Sequence, residues 1–97
     1  MLTFDEAVAA SREEIAEFAP NSESLEHVDE MISCGEPTWG ISDAYTHLRV
    51  DGFRFSAPIR KFWMENLKDC DEDAEYGEWV FREDLLKDGA ATMPVEI

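Results

Sequence analysis

The sequence predicts one small α+β domain over residues 1–97, in which helices pack on one face of a short antiparallel β-hairpin. Helical spacing of apolar residues occurs twice before residue 36, two alternating runs flank Asp51-Gly52, and a further helical pattern follows Pro58. The chain is 44% hydrophobic and contains eleven aromatic residues (three Trp, two Tyr and six Phe). This composition is too rich in apolar side chains for a disordered acidic tail, so we expect an ordered core.

Two antiparallel helices are predicted at the N-terminus. Thr3 followed by Glu6 is a capping-box pattern at the start of the first helix, and either Asn21 or Ser22 can cap the second. Gly35 suits the position just past the end of the second helix. The two stripes consist of Phe4, Ala7, Val8, Ser11, Ile15 and Phe18 in the first helix and Leu25, Val28 and Ile32 in the second.

A β-hairpin is predicted at about residues 45–57. Asp51-Gly52 favours a type I′ turn, because that turn needs positive φ at both central residues. The turn places Val50 opposite Phe53 on the face towards the core. On the other face, two arginines oppose each other, and we expect carboxylates from the first helix or from the loop at 69–75 to neutralise them. These arginines are Arg49 and Arg54.

Two more helices are predicted after the hairpin. Pro58 is a good first-turn residue for a third helix at about 58–70. The segment 78–88 is ambiguous, because Phe81 and Leu85 fit a short C-terminal helix whereas residues 79–81 alone fit a short strand. We favour the helix, closed by the glycine at position 89.

The formal net charge of −15 is extreme for a chain of this length. Residues 1–48 hold eleven acidic residues and one base, Arg12, for a net charge of −10; residues 49–68 hold two acids and five bases, for +3; residues 69–97 hold ten acids and two bases, for −8. Such a charge disfavours binding to nucleic acid or to anionic membranes and favours a protein partner with a basic surface. With no membrane-spanning run and no signal-peptide pattern, the expected location is the cytosol of a bacterial host.

The acidic residues suggest how such a partner would be bound. Residues three and four apart on a helix lie about 5–6 Å from each other, a spacing comparable to that of successive phosphates on one nucleic-acid strand. A rigid array of carboxylates at this spacing fits a basic groove that normally holds DNA or RNA. The predicted partner-binding residues are Glu23, Glu26, Asp29, Glu30, Asp71, Glu72, Asp73 and Glu75.

The leading hypothesis is therefore an inhibitor that mimics nucleic-acid phosphates and blocks a bacterial nucleic-acid-handling complex. Small acidic proteins of this type occur among phage-encoded inhibitors of bacterial defence, such as anti-CRISPR proteins; the analogy is one of type, not of sequence motif. The alternatives are an immunity protein that neutralises a basic toxin nuclease, and a non-catalytic accessory subunit. A solvated acidic face that only keeps the protein soluble remains the simplest reading.

No catalytic, metal or cofactor site is predicted, so we expect a binding protein rather than an enzyme, with a monomer favoured. Asp69, Asp71 and Asp73 occupy alternate positions, as in the first half of an EF-hand loop. Ala74 then stands where the loop needs Gly, and Val80 stands where it needs a bidentate Glu. The remaining potential ligands contain no close-spaced pair of the kind zinc sites use. They are His27, His47, Cys34 and Cys70.

Most of the aromatic rings are expected in the core, because ring burial is the main stabilising contribution available to a small domain. Trp39, in a predicted loop between Pro37 and Gly40, is expected to cover an edge of that core. Tyr76 and Trp79 follow the acidic loop and are the two rings best placed to anchor a protein interface.

Overall fold

The computed structural model describes residues 2–67 and 76–92, with side chains described at 2–67 and 80–89, and every regular element in these ranges is helical. The predicted α+β class is therefore wrong, since the described ranges contain no strand. No helix within them is both long and apolar enough to cross a membrane. The elements are α1 (Phe4–Phe18), α2 (Glu23–Ser33), α3 (Pro37–Leu48), a 3₁₀ turn (Arg49–Asp51), α4 (Ala57–Asn66) and α5 (Tyr76–Thr92).

The two N-terminal helices begin where their capping residues predict. The Thr3 hydroxyl accepts a hydrogen bond from the Glu6 amide (3.1 Å), and the Glu6 carboxylate accepts one from the Thr3 amide (2.9 Å), which completes the capping box. Of the two candidate caps for α2, Ser22 rather than Asn21 is used, and its hydroxyl accepts from the Leu25 amide at 3.1 Å. Local sequence therefore determines this end of the molecule well.

The predicted β-hairpin at 45–57 is wrong because its first half belongs to α3. The buried side of this helix includes Ile41, Ala44, Tyr45 and Leu48, a spacing of three and four that continues across the supposed start of the first strand. Val50, which a hairpin would pack against the core, is instead 78% exposed on the 3₁₀ turn.

Gly52 explains why the hairpin pattern was misleading. Its φ of 101° is the positive value that a type I′ turn requires, but here it ends a helical segment. The Gly52 amide donates to the Arg49 carbonyl (3.1 Å) and the Phe53 amide donates to the Leu48 carbonyl (3.2 Å), the two bonds of a Schellman motif. Because both structures need positive φ, the glycine alone does not distinguish a hairpin from a helix end.

An aromatic cluster fills the centre of the core. Residues after Gly52 run extended, and two phenylalanines point inward on either side of an exposed arginine, so the alternation of this segment is real although it pairs with no other strand in the described ranges. The ring centroids of neighbouring members lie 5.0–6.4 Å apart, within the range that aromatic pairs prefer. The cluster consists of Tyr45, Phe53, Phe55, Trp63 and Phe81.

The last two helices correct the predicted boundaries. The third predicted helix, at about 58–70, is α4, which ends at Asn66; residues 68–75 lie outside the described ranges. The segment 78–88, for which helix and strand were both open, is part of α5. Phe81 and Leu85 are buried as the helical interpretation requires, but α5 continues past Gly89, which therefore does not close it.

Helices α2 and α3 approach each other closely at Gly40. The segment 36–40, predicted as a loop, includes the first turn of α3, with Pro37 at the first helical position. A Cβ atom at position 40 would lie 2.7 Å from Met31 Cβ and 3.2 Å from Val28 Cα, so only glycine fits without a shift of the neighbouring helix. This contact sets the distance between α2 and α3.

Candidate acidic interaction surface

The outward side of α2 carries a regular row of carboxylates. Glu23, Glu26 and Glu30 are all exposed and lie on the side of the helix opposite the buried Leu25 and Val28. Because they are three and four residues apart, successive carboxylates have the spacing of about 5–6 Å that the sequence predicts.

Helix α1 carries two more exposed carboxylates, one of which shares a groove with Arg54 of the segment that precedes α4. Helix α1 packs against α2, and packed helices typically have axes about 8–10 Å apart. We define the acidic surface as these five residues. None of the five forms an ion pair with another described residue. The five are Glu13 and Glu17 of α1 and Glu23, Glu26 and Glu30 of α2.

Asp29, predicted as a contact residue, has a different role. Its carboxylate accepts two hydrogen bonds from Arg12, at 2.7 Å from Nε and 3.0 Å from Nη2, and these bonds lower the pKa of Asp29 below its usual value. The pair joins α2 to α1 and fixes the two rows of carboxylates relative to each other. It also occupies the single base among residues 1–48, so that no Lys or Arg of this region is left to neutralise the acidic surface.

Half of the predicted partner-binding residues lie outside the described ranges. These are Asp71, Glu72, Asp73 and Glu75, which also include two members of the EF-hand-like pattern. The would-be twelfth ligand of that pattern, Val80, lies in α5. The described part of the predicted acidic contact surface therefore lies on α2, beside the carboxylates of α1.

A second group of charges lies between α3, the turn after it and α5, with its carboxylates buried and its two arginines partly exposed. Asp88, only 3% exposed, accepts hydrogen bonds from the Tyr45 hydroxyl (2.6 Å) and from Arg49 Nε (2.8 Å) and Nη2 (2.6 Å). Arg54 Nη2 lies 3.6 Å from Asp88, and Arg49 Nη1 lies 3.7 Å from Asp84. We refer to these five residues as the buried charge cluster.

The buried charge cluster shifts the pKa values of its members. Burial alone would raise the pKa of Asp88, but hydrogen bonds from Arg49 and Tyr45 and the two guanidinium charges outweigh burial and lower it. Burial and the bond to Asp88 raise the pKa of Tyr45, and the same carboxylate raises that of Arg49. The predicted neutralisation of Arg49 and Arg54 thus occurs, but the described carboxylates that form ion pairs with them come from α5 rather than from the first helix.

The two histidines lie on either side of Asp43, between α2 and α3. His27 Nε2 lies 3.0 Å from the Asp43 carboxylate, and His47 Nδ1 donates to the Asp43 carbonyl at 2.8 Å. Cys34 is exposed at the end of α2 and makes no disulfide within the described ranges, while Cys70 lies outside them. In the part of the chain that the structure describes, no group of three or more His, Cys, Asp or Glu is arranged to hold a metal ion.

Three aromatic rings among the described side chains are about half exposed: Phe4, Phe18 and Trp39. Trp39 is 45% exposed and Phe4 is 43% exposed, so more than half of each ring's residue surface is buried, and the expectation that Trp39 covers an edge of the core stays a prediction. Trp39 lies on the side of α3 away from Ile41 and Leu48, a position that can be read from the sequence only once 37–48 is recognised as a helix. The side chains of the two rings that were expected at an interface, at positions 76 and 79, lie outside the described side chains.

No protein-family model, curated protein or solved structure matches this chain. A functional inference therefore depends on the charges and the geometry of the molecule itself. The carboxylates of the acidic surface are exposed and make no described ion pair, so the described part of the fold does not depend on their charge.

Proposed function

We propose that this protein binds the basic nucleic-acid-binding surface of another protein and blocks it, with the acidic surface taking the place of phosphates. The observation that carries the proposal is the arrangement of five exposed carboxylates on two braced helices. Arg12, the one base in this half of the chain, is already held by Asp29. A surface with an excess of negative charge attracts basic partners over a distance of about a Debye length.

The rigidity of α1 and α2 supports mimicry rather than simple solubility. Both helices begin with side-chain caps, and each buries apolar residues in the core, so the backbone under the acidic surface is fixed. The Arg12–Asp29 pair adds a direct connection between the two helices. A preorganised array loses less conformational freedom on binding than flexible side chains on a coil, which favours affinity.

The partner class we propose is a nucleic-acid-handling complex of bacteria, as expected for a phage-encoded inhibitor of the anti-CRISPR type. In this role the protein carries out no catalytic step. It acts by occupying the basic groove of its partner. A basic toxin nuclease would present the same kind of groove, and an immunity protein would bind it with the same residues. Nuclease activity in the captured partner, with a toxin gene beside the gene for this chain, would favour immunity over anti-defence.

The test compares two double variants that both change the net charge from −15 to −13, since each removes two carboxylates. Glu26→Gln with Glu30→Gln removes part of the acidic surface. Asp51→Asn with Glu65→Gln removes two exposed carboxylates elsewhere and is the matched control. Immobilised wild-type protein and both variants are incubated with a bacterial lysate at about 0.05 M and about 0.5 M NaCl, because charge-driven binding weakens as salt shortens the Debye length.

We expect wild-type protein and the control to retain the same basic protein at low salt, and the acidic-surface variant to retain about tenfold less, chiefly through slower association. Duplex DNA or RNA added as a competitor should release that protein, and the purified partner should lose nucleic-acid binding when the wild-type chain is added. Equal capture by the two double variants, or no competition by nucleic acid, would refute the proposal.

A further inference from the structure

A groove of about 470 Å³ lies at the end of the α1–α2 pair that is remote from its connection. The first turn of α1, the end of α2 and the first turn of α3 form its walls. Its apolar lining includes Val8 and Ile32, and the two exposed rings of Phe4 and Trp39 stand at its sides. Most exposed apolar side chains of a protein occur singly, so two half-exposed rings that line one groove require an explanation.

The groove is preformed rather than loosely assembled. The ring of Phe4 packs edge-on against Trp63, with centroids 6.0 Å apart, and so is held from behind by the core. Trp39 is in the first turn of α3, and its backbone carbonyl accepts a hydrogen bond from the buried Ser42 hydroxyl at 2.9 Å. The neighbouring contact at Gly40 fixes α3 against α2. A ligand would therefore meet a Phe4 ring held by the core and a Trp39 whose backbone is fixed.

Two carboxylates give the groove a negative charge. Asp5 is in the first turn of α1 and Glu36 precedes the first turn of α3, and both are exposed lining residues. No described base pairs with either of them. The groove thus combines aromatic surface with uncompensated negative charge, which is the combination that a guanidinium group satisfies best: it pairs with carboxylates and stacks on aromatic faces.

We propose that this groove binds an arginine side chain, flanked by apolar residues, from a segment of the basic partner. The guanidinium lies against Trp39 between Asp5 and Glu36, and the flanking apolar side chains contact Phe4 and Ile32. This inference rests on the proposed function in taking the partner to be basic. The groove is nevertheless a separate site from the acidic surface, and it adds sequence selectivity that a field of carboxylates lacks.

The probe is a capped pentapeptide with a central arginine between two leucines, titrated at about 0.15 M NaCl, where nonspecific attraction is largely screened. Binding is followed by backbone and indole amide shifts in a ¹⁵N-labelled sample. We expect saturable shifts at Asp5, Glu36 and the Trp39 indole. A second peptide, in which neutral citrulline replaces arginine, should bind about tenfold more weakly, because it keeps the shape and loses the charge.

Variants of equal net charge separate the groove from general attraction. Asp5→Asn with Glu36→Gln should weaken peptide binding about tenfold, whereas Asp51→Asn with Glu65→Gln, which also brings the net charge to −13, should change it less than about twofold. Trp39→Ala should abolish the peptide-induced amide shifts at Asp5 and Glu36. Circular dichroism of this variant shows whether its helices are intact. Equal weakening by both double variants, or equal binding of the citrulline peptide, would overturn the proposal.

The acidic-surface variant distinguishes a failure of the proposed arginine site from a failure of the proposed function. Glu26→Gln with Glu30→Gln should leave peptide binding in the groove within about twofold of wild type while it reduces capture of the whole partner. If this variant loses partner capture and the wild-type protein does not bind the peptide, the proposed function of the acidic surface is supported and the proposed arginine site in the groove is refuted.

Discussion

The acidic surface and the buried charge cluster use the same kind of side chain for opposite purposes. On α1 and α2, five exposed carboxylates form no ion pair with a described residue. Between α3 and α5, Asp84 and Asp88 are buried against Arg49, Arg54 and a tyrosine hydroxyl. The first arrangement leaves its charge available to a partner, whereas the second uses its charge within the fold.

This difference shows that a formal charge of −15 is not by itself a description of the surface. Some of the acidic residues hold the molecule together: Asp88 joins α5 to α3, Asp29 joins α2 to α1, and Glu14 accepts hydrogen bonds from the Ser56 amide and hydroxyl at the start of α4. Only carboxylates without such a partner are candidates for recognition. The two groups should respond differently to substitution, pH and salt.

The largest effect is expected from Asp88→Asn. This change replaces the buried carboxylate that Arg49, Arg54 and the Tyr45 hydroxyl share by an uncharged amide, and we expect it to lower the free energy of unfolding by about 3 kcal/mol. Urea unfolding followed by circular dichroism measures the loss. Asp51→Asn, the same substitution at an exposed position, should stay within about 0.5 kcal/mol of wild type. Similar values for the two variants would mean that the buried charge cluster does not stabilise the fold.

A smaller effect is expected when the same comparison is made against pH. The folded-state pKa of Asp88 is lowered, so its contribution is complete above the ordinary carboxyl value of 3.8 and is lost as the pH falls through the lower folded-state value. The difference in unfolding free energy between wild type and Asp88→Asn should therefore be constant from pH 7 down to about pH 5, and should shrink below about pH 4. A difference that persists unchanged at about pH 2 would contradict this account.

The smallest effect is expected on the acidic surface. Glu26→Gln with Glu30→Gln removes repulsion between like charges four residues apart, so the melting temperature should rise by about 1–2 °C at low ionic strength. The gain should disappear in about 0.5 M NaCl, because salt screens exposed charges. Differential scanning calorimetry at both salt concentrations measures it. A fall in melting temperature on neutralisation would show that these carboxylates serve the fold after all.

Local sequence patterns were sufficient to predict the helices in the first third of the chain and some of the later ones. Thr3, Glu6 and Ser22 act within three or four residues of themselves, so their capping roles follow from sequence. The row on α2 follows in the same way, since helical periodicity places Glu23, Glu26 and Glu30 together.

The failures have two physical causes. Positive φ at Gly52 serves a hairpin turn and a helix end equally well, and only the stripe that begins at Ile41 decides between them. The pairing of Asp29 with Arg12, and that of Asp88 with Tyr45, join residues 17 and 43 positions apart, which no local pattern reveals.

One signal of the buried charge cluster was nevertheless present in the sequence. Phe81, Asp84, Leu85 and Asp88 share one side of a helix, with spacings of three and four. Carboxylates within an apolar stripe are unfavourable in a core unless a cation lies opposite them. The surplus of bases in residues 49–68 supplies that cation.

Gly40 carries no charge and faces the interior, yet its contact with α2 affects the position of the surface that we propose binds a partner. Because even a methyl group there would lie 2.7 Å from Met31 of α2, alanine at position 40 would push α2 and α3 apart and shift the row of carboxylates on α2. The groove would change shape in the same movement, since Ile32 and Trp39 lie on the two helices that separate. If the proposed inhibition is established, a random mutagenesis screen for its loss should recover position 40 with every glutamate still in place.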